Sequence, residues 1–299
     1  MGWLPEWLAK RYAQLYYRFT TEPFDFNSAQ GLLGYNKLEV RRTLAQLENA
    51  GFLHKGRQPT DLRRKNYYLV NPEHAIRAFA LQSESIDEKL RLAGNDFQYV
   101  LTGAAAAYKY HGYITPAKTD ILVFKKDLGF WYALLKSKET PVAIDHILAE
   151  KTGQVIHLHT TLTQEIMVRA VKIGGIFYTP ADDLVLEFFR HPTDTSLLDA
   201  IAIMLTHTKD LDWDLLSKSD VKQEIGFVME ALNKEAAKTI FTTRLLGRFK
   251  ETEKIVKRFS TRDELLELPE DYYALTKDWV LEINVPVRIF RKAIEDLVS

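Results

Sequence analysis

The stretch NKLEVRRTLAQLENAGFLHKGRQPTDLRRKNYYLVN, residues 36–71, decides how the first part of this chain is read. Asn36 is a strong helix N-cap because its side-chain oxygen can accept from the unpaired amides of the first turn. Glu39 stands three residues on, where a capping box places an acid. Val40, Leu44, Leu47 and Ala50 recur at helical spacing, which predicts an amphipathic helix over 36–50 with Lys37, Arg41, Arg42 and Gln46 turned away from the apolar stripe. Gly51 ends that helix. Phe52 to Lys55 and Tyr67 to Val70 have strand composition, and Gly56, Pro59 and Asp61 between them predict a hairpin with a long tip. The tip carries Arg57, Arg63, Arg64 and Lys65, and Lys55 lies on the strand leading to it.

Working upstream, Leu8, Tyr12, Leu15 and Phe19 fall on one side of a helix spanning Trp7 to Phe19, whose aromatic richness suits core packing or a contact with a second copy of the chain. Phe24 to Phe26 has the composition of a short strand, and Asn27 or Ser28 can cap a short helix that Gly34 closes. A tight turn then separates that helix from the one beginning at Asn36. The order helix, turn, helix, basic hairpin is that of a winged helix-turn-helix, with 36–50 as recognition helix and the hairpin as wing. Charge is distributed to match: residues 1–75 carry eleven Lys and Arg against seven Asp and Glu, a net +4, leaving −4 for the remainder of a chain whose formal net charge is zero. A basic module on an acidic body favours phosphate attraction at one end. Double-stranded DNA is the partner expected, with Lys37, Arg41, Arg42, Lys55, Arg57, Arg63, Arg64 and Lys65 as its contacts.

The 299 residues are enough for about two domains, and 46% hydrophobic with 27% charged residues is ordinary for a globular protein. The absence of cysteine excludes disulfide frameworks, thiolate metal sites and thiol nucleophiles. No apolar run approaches the ~20 residues of a membrane span, so the expectation is a cytoplasmic protein with no membrane partner.

After Asn71-Pro72, a connector helix is expected from about Glu73 to Leu92, ended by Gly94-Asn95. Strands and helices then alternate: a strand at Tyr99 to Leu101, a helix at Gly103 to His111, a strand at Thr119 to Phe124 and a helix at Leu128 to Lys136. Strand candidates follow at Val142 to Leu148, Gln154 to Leu158 and Ile166 to Ile173. Gly174-Gly175 before IFYT reads as a tight hairpin, because glycine accepts the positive φ of such turns. Thr179-Pro180 starts a helix with Asp182 and Asp183 in its first turn, where carboxylates suit the dipole. Helices are expected near Thr195 to Thr206, Asp220 to Asn233, Glu235 to Phe259, Thr261 to Glu267 and Val285 to Val298. The expected division is a DNA-binding domain at 1–72, a connector at 73–96, a mixed-sheet α/β domain at 97–192 and a helical C-terminal region at 193–299.

YVLTGAAAAYKYHGYITPAKTDILVF, residues 99–124, resembles the opening of the nucleotidyltransferase fold, in which a strand, a glycine turn and a helix lead to a strand carrying Asp-x-Asp. Gly103 matches the turn glycine and Asp120 the first acid, while Ala104 replaces the hydroxyl residue and Leu122 stands where the second acid belongs. One carboxylate is a poor two-metal site, so the resemblance implies the fold and a chain that is not an enzyme. The alternative is a metal-dependent nucleotidyltransferase acting through Asp120. The combination of winged helix, degenerate transferase-like domain, the phrase from Thr102 to Gly112, the YTPADDLVLEFF segment and KQEIGFVMEAL resembles the AbiEi-type antitoxins and related transcriptional regulators. That family implies an α+β protein, an autorepressor that binds its operator, and a cognate toxin as protein partner, with a homodimer as a further expectation.

Other residues invite chemical readings. His157 and His159 alternate on one face of a strand and with His146 or His111 could make a metal site, but no H-E-x-x-H pattern or close carboxylate spacing accompanies them. They are expected to be histidines of a partly exposed sheet face, and no metal, cofactor or catalytic residue is expected. Lys209, Asp210, Asp212 and Asp214 lack the spacing of a calcium loop and read as solvated or capping. No nucleophile-elbow pattern surrounds a serine, and no Gly-rich phosphate loop is present.

Overall fold

The computed structural model describes residues 4–58, 61–81, 83, 85–136, 141–144, 155–161, 164–250, 256–264 and 266–298, with side chains at 57, 58, 61–64, 166 and 271 outside that description. The chain is mixed α+β and divides into two interleaved compact units, Met1–Leu101 with Ala117–Tyr178, and Thr102–Pro116 with Thr179–Ser299. This division does not fall at 72, 96 and 192: the chain leaves the first unit after Leu101 and re-enters it at Ala117.

In the first unit, α1 (Glu6–Phe19), α2 (Phe26–Leu33) and α3 (Lys37–Asn49) precede an antiparallel hairpin of β1 (Leu53–Gln58) and β2 (Asp61–Leu69). Their apolar stripes, including Leu8, Leu15, Ala29, Leu33, Val40, Leu44 and Leu47, close on Phe24, Leu53 and Leu69 in one core. Each buried leucine there contributes about 1.5–3 kcal/mol. The strand expected at Phe24 to Phe26 is a single bridge: Phe24 exchanges two backbone hydrogen bonds with Tyr67, at 3.0 and 2.8 Å, and so adds to the hairpin edge. The cap of α2 is Asp25, whose carboxylate accepts from the Ser28 amide at 2.7 Å, not Asn27 or Ser28. The hairpin strands extend beyond Phe52 to Lys55 and Tyr67 to Val70, since pairing continues through Arg57 opposite Lys65.

The expected connector is two helices, α4 (Pro72–Ala80) and α5 (Ile86–Ala93). They lead into a six-stranded sheet whose strands are β3 (Tyr99–Thr102), β4 (Lys118–Phe124), β5 (Val142–Ile144), β6 (Val155–Thr161), β7 (Val171–Ile173) and β8 (Ile176–Tyr178). The spatial order is β5-β6-β4-β3-β8-β7, with β5, β6 and β4 mutually parallel and β7 antiparallel to β8. The segment from Ile166 is not one strand: helix α8 (Glu165–Arg169) precedes β7, although Ile166 and Val168 have strand composition. Gly174 and Gly175 make the β7–β8 turn at φ 59° and 86°, as their pairing demands. Residues 145–148 of the expected strand from Val142, and with them His146, lie outside the described residues. Between α6 (Gly103–His111), which belongs to the second unit, and α8 comes α7 (Leu128–Leu135), sequence LGFWYALL. It is apolar on all sides and buried from Phe130 to Leu135, packing on β4 and β6 and on α4.

The second unit gathers α6, α9 (Ala181–Arg190), α10 (Asp194–Thr206), α11 (Trp213–Ser217), α12 (Lys222–Glu235), α13 (Thr243–Leu246), α14 (Glu270–Asp278) and α15 (Arg288–Leu297). It is not purely helical. The region expected as helix from Glu235 to Phe259 contains α13 and β9 (Lys257–Ser260), and β9 pairs in parallel with β10 (Leu281–Asn284). No helix forms over the described part of Thr261 to Glu267; there the buried Asn284 side chain donates to the carbonyls of Arg262 and Glu264 at 2.8 and 2.9 Å and accepts from the Leu266 amide. Within α12, Gly226 lies under the buried ring of Trp279. Among the described residues no helix is long and apolar enough to cross a membrane.

Gly226→Ala should lower the stability of the chain. An added Cβ would stand 2.8 Å from Phe249 Cβ and closer still to the Trp279 ring. That overpacking costs about 1–3 kcal/mol, which the ~1 kcal/mol gained in helix propensity offsets only in part. A urea midpoint equal to or above the wild-type value would contradict this packing.

A second prediction concerns His54 on β1, which stacks on Tyr68 at 4.9 Å and meets Tyr132 at 5.5 Å. Burial, with the Lys136 ammonium adding to it, pushes the His54 imidazole down to about 4. The unfolded chain therefore binds the proton first as pH falls below 6.5, and stability should drop between there and about 4 by roughly 3 kcal/mol from this group. Denaturant titrations across that range should show the drop in the wild type and a smaller one in His54→Leu.

Candidate functional site

The outer face of α3 is set by what surrounds the helix. Gly34 adopts φ 68° at the end of α2, and its amide donates to the Gln30 carbonyl at 3.0 Å. The chain then reverses through Tyr35 to Asn36, whose side chain accepts from the Glu39 amide at 3.0 Å. With Val40, Thr43, Leu44 and Leu47 buried, Lys37, Leu38, Arg41, Arg42 and Ala45 are left exposed along the opposite side. Among the described residues none of Lys37, Arg41 and Arg42 pairs with a carboxylate; the Arg41 guanidinium lies 5.8 Å from the Phe26 ring. Leu38 is 77% exposed amid these cations.

Arg11 holds this face in place and escaped the sequence reading, in which it counted only as charge. Its guanidinium lies over the rings of Trp7 and Tyr35, at 4.9 and 4.0 Å, and donates to Thr43 Oγ1 at 2.6 Å. The hydroxyl of Thr43 in turn donates to the Glu39 carbonyl at 2.9 Å. α1 is thereby tied to the first turns of α3. The signal lay in the aromatic residues at 7 and 35, which are distant in sequence.

On the hairpin, Lys65 is exposed and Lys55 is engaged by Glu48, so the two cations differ in availability. The side chains of Arg57, Arg63 and Arg64 lie outside the described residues. Gly103 opens α6 at φ 59°, a left-handed conformation that glycine tolerates, and belongs to the second unit, while Asp120 belongs to the first.

Asp120 lies on β4 opposite His157 of β6, and Leu122 lies opposite His159. Alternation puts Asp120, His157 and His159 on one face of the sheet, while Ile121, Val123, Ile156 and Leu158 are buried on the other. The Asp120 carboxylate, only 4% exposed, accepts from His159 Nε2 at 2.9 Å and from Lys118 Nζ at 3.1 Å. Burial raises its pKa, but the His159 hydrogen bond and the Lys118 charge outweigh burial and hold the carboxyl below its ordinary value. Burial also lowers the His157 imidazole, with Asp120 opposing. The sequence places no carboxylate close to the two histidines, but parallel pairing of β4 with β6 brings one from 37 residues upstream of His157, and no local pattern in the chain announces it.

His111, the other histidine considered for a metal, instead pairs with the buried Asp199 at 3.1 Å inside the second unit. Asp182 accepts from the Asp212 amide at 2.8 Å, and Asp212 caps α11 through the amides of Asp214 and Leu215 at 3.0 Å. These acids therefore serve helix ends. Comparison with known proteins gives no matching family model, curated protein or solved structure.

Proposed function

We propose that this chain is a DNA-binding regulator whose first three helices and hairpin act as a winged helix-turn-helix. The observation that carries the reading is the exposed row of Lys37, Arg41 and Arg42 on a helix whose buried stripe and capped start leave that row as its outer surface. In this reading α3 enters a major groove, where Arg42 reads a base edge, Lys37 and Arg41 reach phosphates, and Leu38 contacts a thymine methyl. Lys65 and its neighbours on the hairpin hold the adjacent backbone. Lys55 takes the lesser part, since Glu48 already neutralises it.

The resemblance to AbiEi-type antitoxins extends the proposal to an autorepressor whose remaining structure receives a toxin protein or a second copy of the chain. A nucleotidyl-transfer activity would rest on Asp120, with half-buried Leu122 in the place of a second acid and both His159 and Lys118 on the carboxylate. The regulator reading is therefore preferred, and the α/β part is taken as a degenerate nucleotidyltransferase-like domain.

The test is fluorescence anisotropy with the duplex upstream of the chain's own coding region, beside a random duplex, across a salt series. Tight, selective binding with a steep salt dependence is expected. Arg42→Ala should reduce discrimination between the two duplexes by about 1–3 kcal/mol. Alanine at Arg63, Arg64 and Lys65 together should flatten the salt slope by about 0.9 for each phosphate that the variant no longer neutralises. Failure of the wild type to bind either duplex at low salt would overturn the proposal.

A further inference from the structure

We propose that Asp120, His157 and His159 form a site for one divalent transition-metal ion of the zinc class. The two imidazoles come from alternate positions of β6 and the carboxylate from the neighbouring parallel strand β4, so all three project from the same face of the sheet. One ligand atom from each lies within 4.8 Å of the other two. Bonds of about 2.0–2.1 Å in a tetrahedral site put ligand atoms roughly 3.3 Å apart, so small side-chain rotations suffice to close the three around an ion. The His159–Asp120 contact, 2.9 Å, opens slightly as the ion takes the place of the hydrogen bond, the neutral His159 ring then carrying its N–H on Nδ1. The site rests on backbone pairing within a sheet, which makes its spacing rigid.

The donor set selects the ion. Two neutral imidazoles and one carboxylate suit Zn²⁺, Co²⁺, Ni²⁺ and Cu²⁺, whereas Mg²⁺ and Ca²⁺ seek oxygen alone. Three protein ligands leave a fourth position, and the partly exposed His157 and His159 leave it open to water. Lys118 is the competitor: its ammonium sits 3.1 Å from Asp120 and occupies the charge position that a cation would take. Because its side chain is half exposed, on a flexible stem, it can withdraw to solvent when an ion enters. Binding then exchanges one cation for another at a nearly buried carboxylate. This inference is independent of DNA binding.

The experiment uses the untagged full-length chain, stripped with a chelator and titrated with ZnCl₂ near neutral pH against a chromophoric competitor. One ion per chain with micromolar or tighter affinity is expected. His157→Ala and His159→Ala should each weaken binding by about tenfold or more, as loss of a ligand requires. Lys118→Met, which touches no ligand-to-metal bond, should tighten it severalfold by removing the competing charge; a purely structural ion pair predicts no such gain. Where an alanine variant fails to fold, the wild type still decides: paramagnetic Co²⁺ should broaden the ring resonances of two histidines before those of the other six. Absence of zinc binding in the wild type, retention of full affinity in His157→Ala/His159→Ala, or Co²⁺ broadening spread evenly over the histidines would overturn the site.

Discussion

The first unit depends on burying a short helix that is apolar on every side. The sequence LGFWYALL of α7 offers water no polar face, and its side chains from Phe130 to Leu135 are all buried. Such a helix needs apolar partners around its whole circumference. The sheet provides them through β4 and β6, with Tyr99 meeting Trp131 at 5.0 Å, and the opposite side is closed by α4 and the hairpin. Phe97 stacks on Phe130 at 3.7 Å. At about 1.5–3 kcal/mol for each large side chain, this layer outweighs any single polar contact in the unit.

Two consequences reach the surfaces. With the hairpin packed on α7, the chain flanking it is held as well: Tyr12 donates its hydroxyl to the Val70 carbonyl just after β2, and Lys136 donates to the Glu48 carbonyl of α3 at 2.7 Å. The outer face of α3 is thereby carried on a supported core. The sheet, in turn, sends Ile121, Val123, Ile156 and Leu158 into apolar surroundings, and strict alternation turns Asp120, His157 and His159 the other way. The polar cluster and the apolar layer are two sides of one pleat.

Local chemistry made much of the first part legible. Asn36 and Gly34 act where their side chain and missing side chain respectively require, the stripe from Val40 to Leu47 is buried, and α6 spans Gly103–His111 as its alanines suggest. Failures came where composition was ambiguous or the deciding partner was distant. Ile166 and Val168 are β-branched, yet they belong to α8, because propensity is a weak guide in a short segment. The long helix expected after Glu235 is broken: Asn233 turns its amide on the backbone of Ile240 and Phe241, and the chain then reaches a strand that pairs in parallel with one near the end.

By itself, the sequence determined the elements whose signals are short-range: capped helices, the glycine turns at Gly34 and Gly174-Gly175, the basic composition of the first 75 residues and the exclusion of cysteine chemistry. Tertiary structure alone decided that the chain leaves and re-enters its first unit, that Arg11 braces α3 through Thr43, and that Asp120 meets His157 and His159. The physical reason is range. Caps and turns are satisfied within a few residues and leave a mark in the local sequence. Parallel strand pairing joins segments separated by a long crossover, and its register is set by which faces can be buried together once the whole unit has closed.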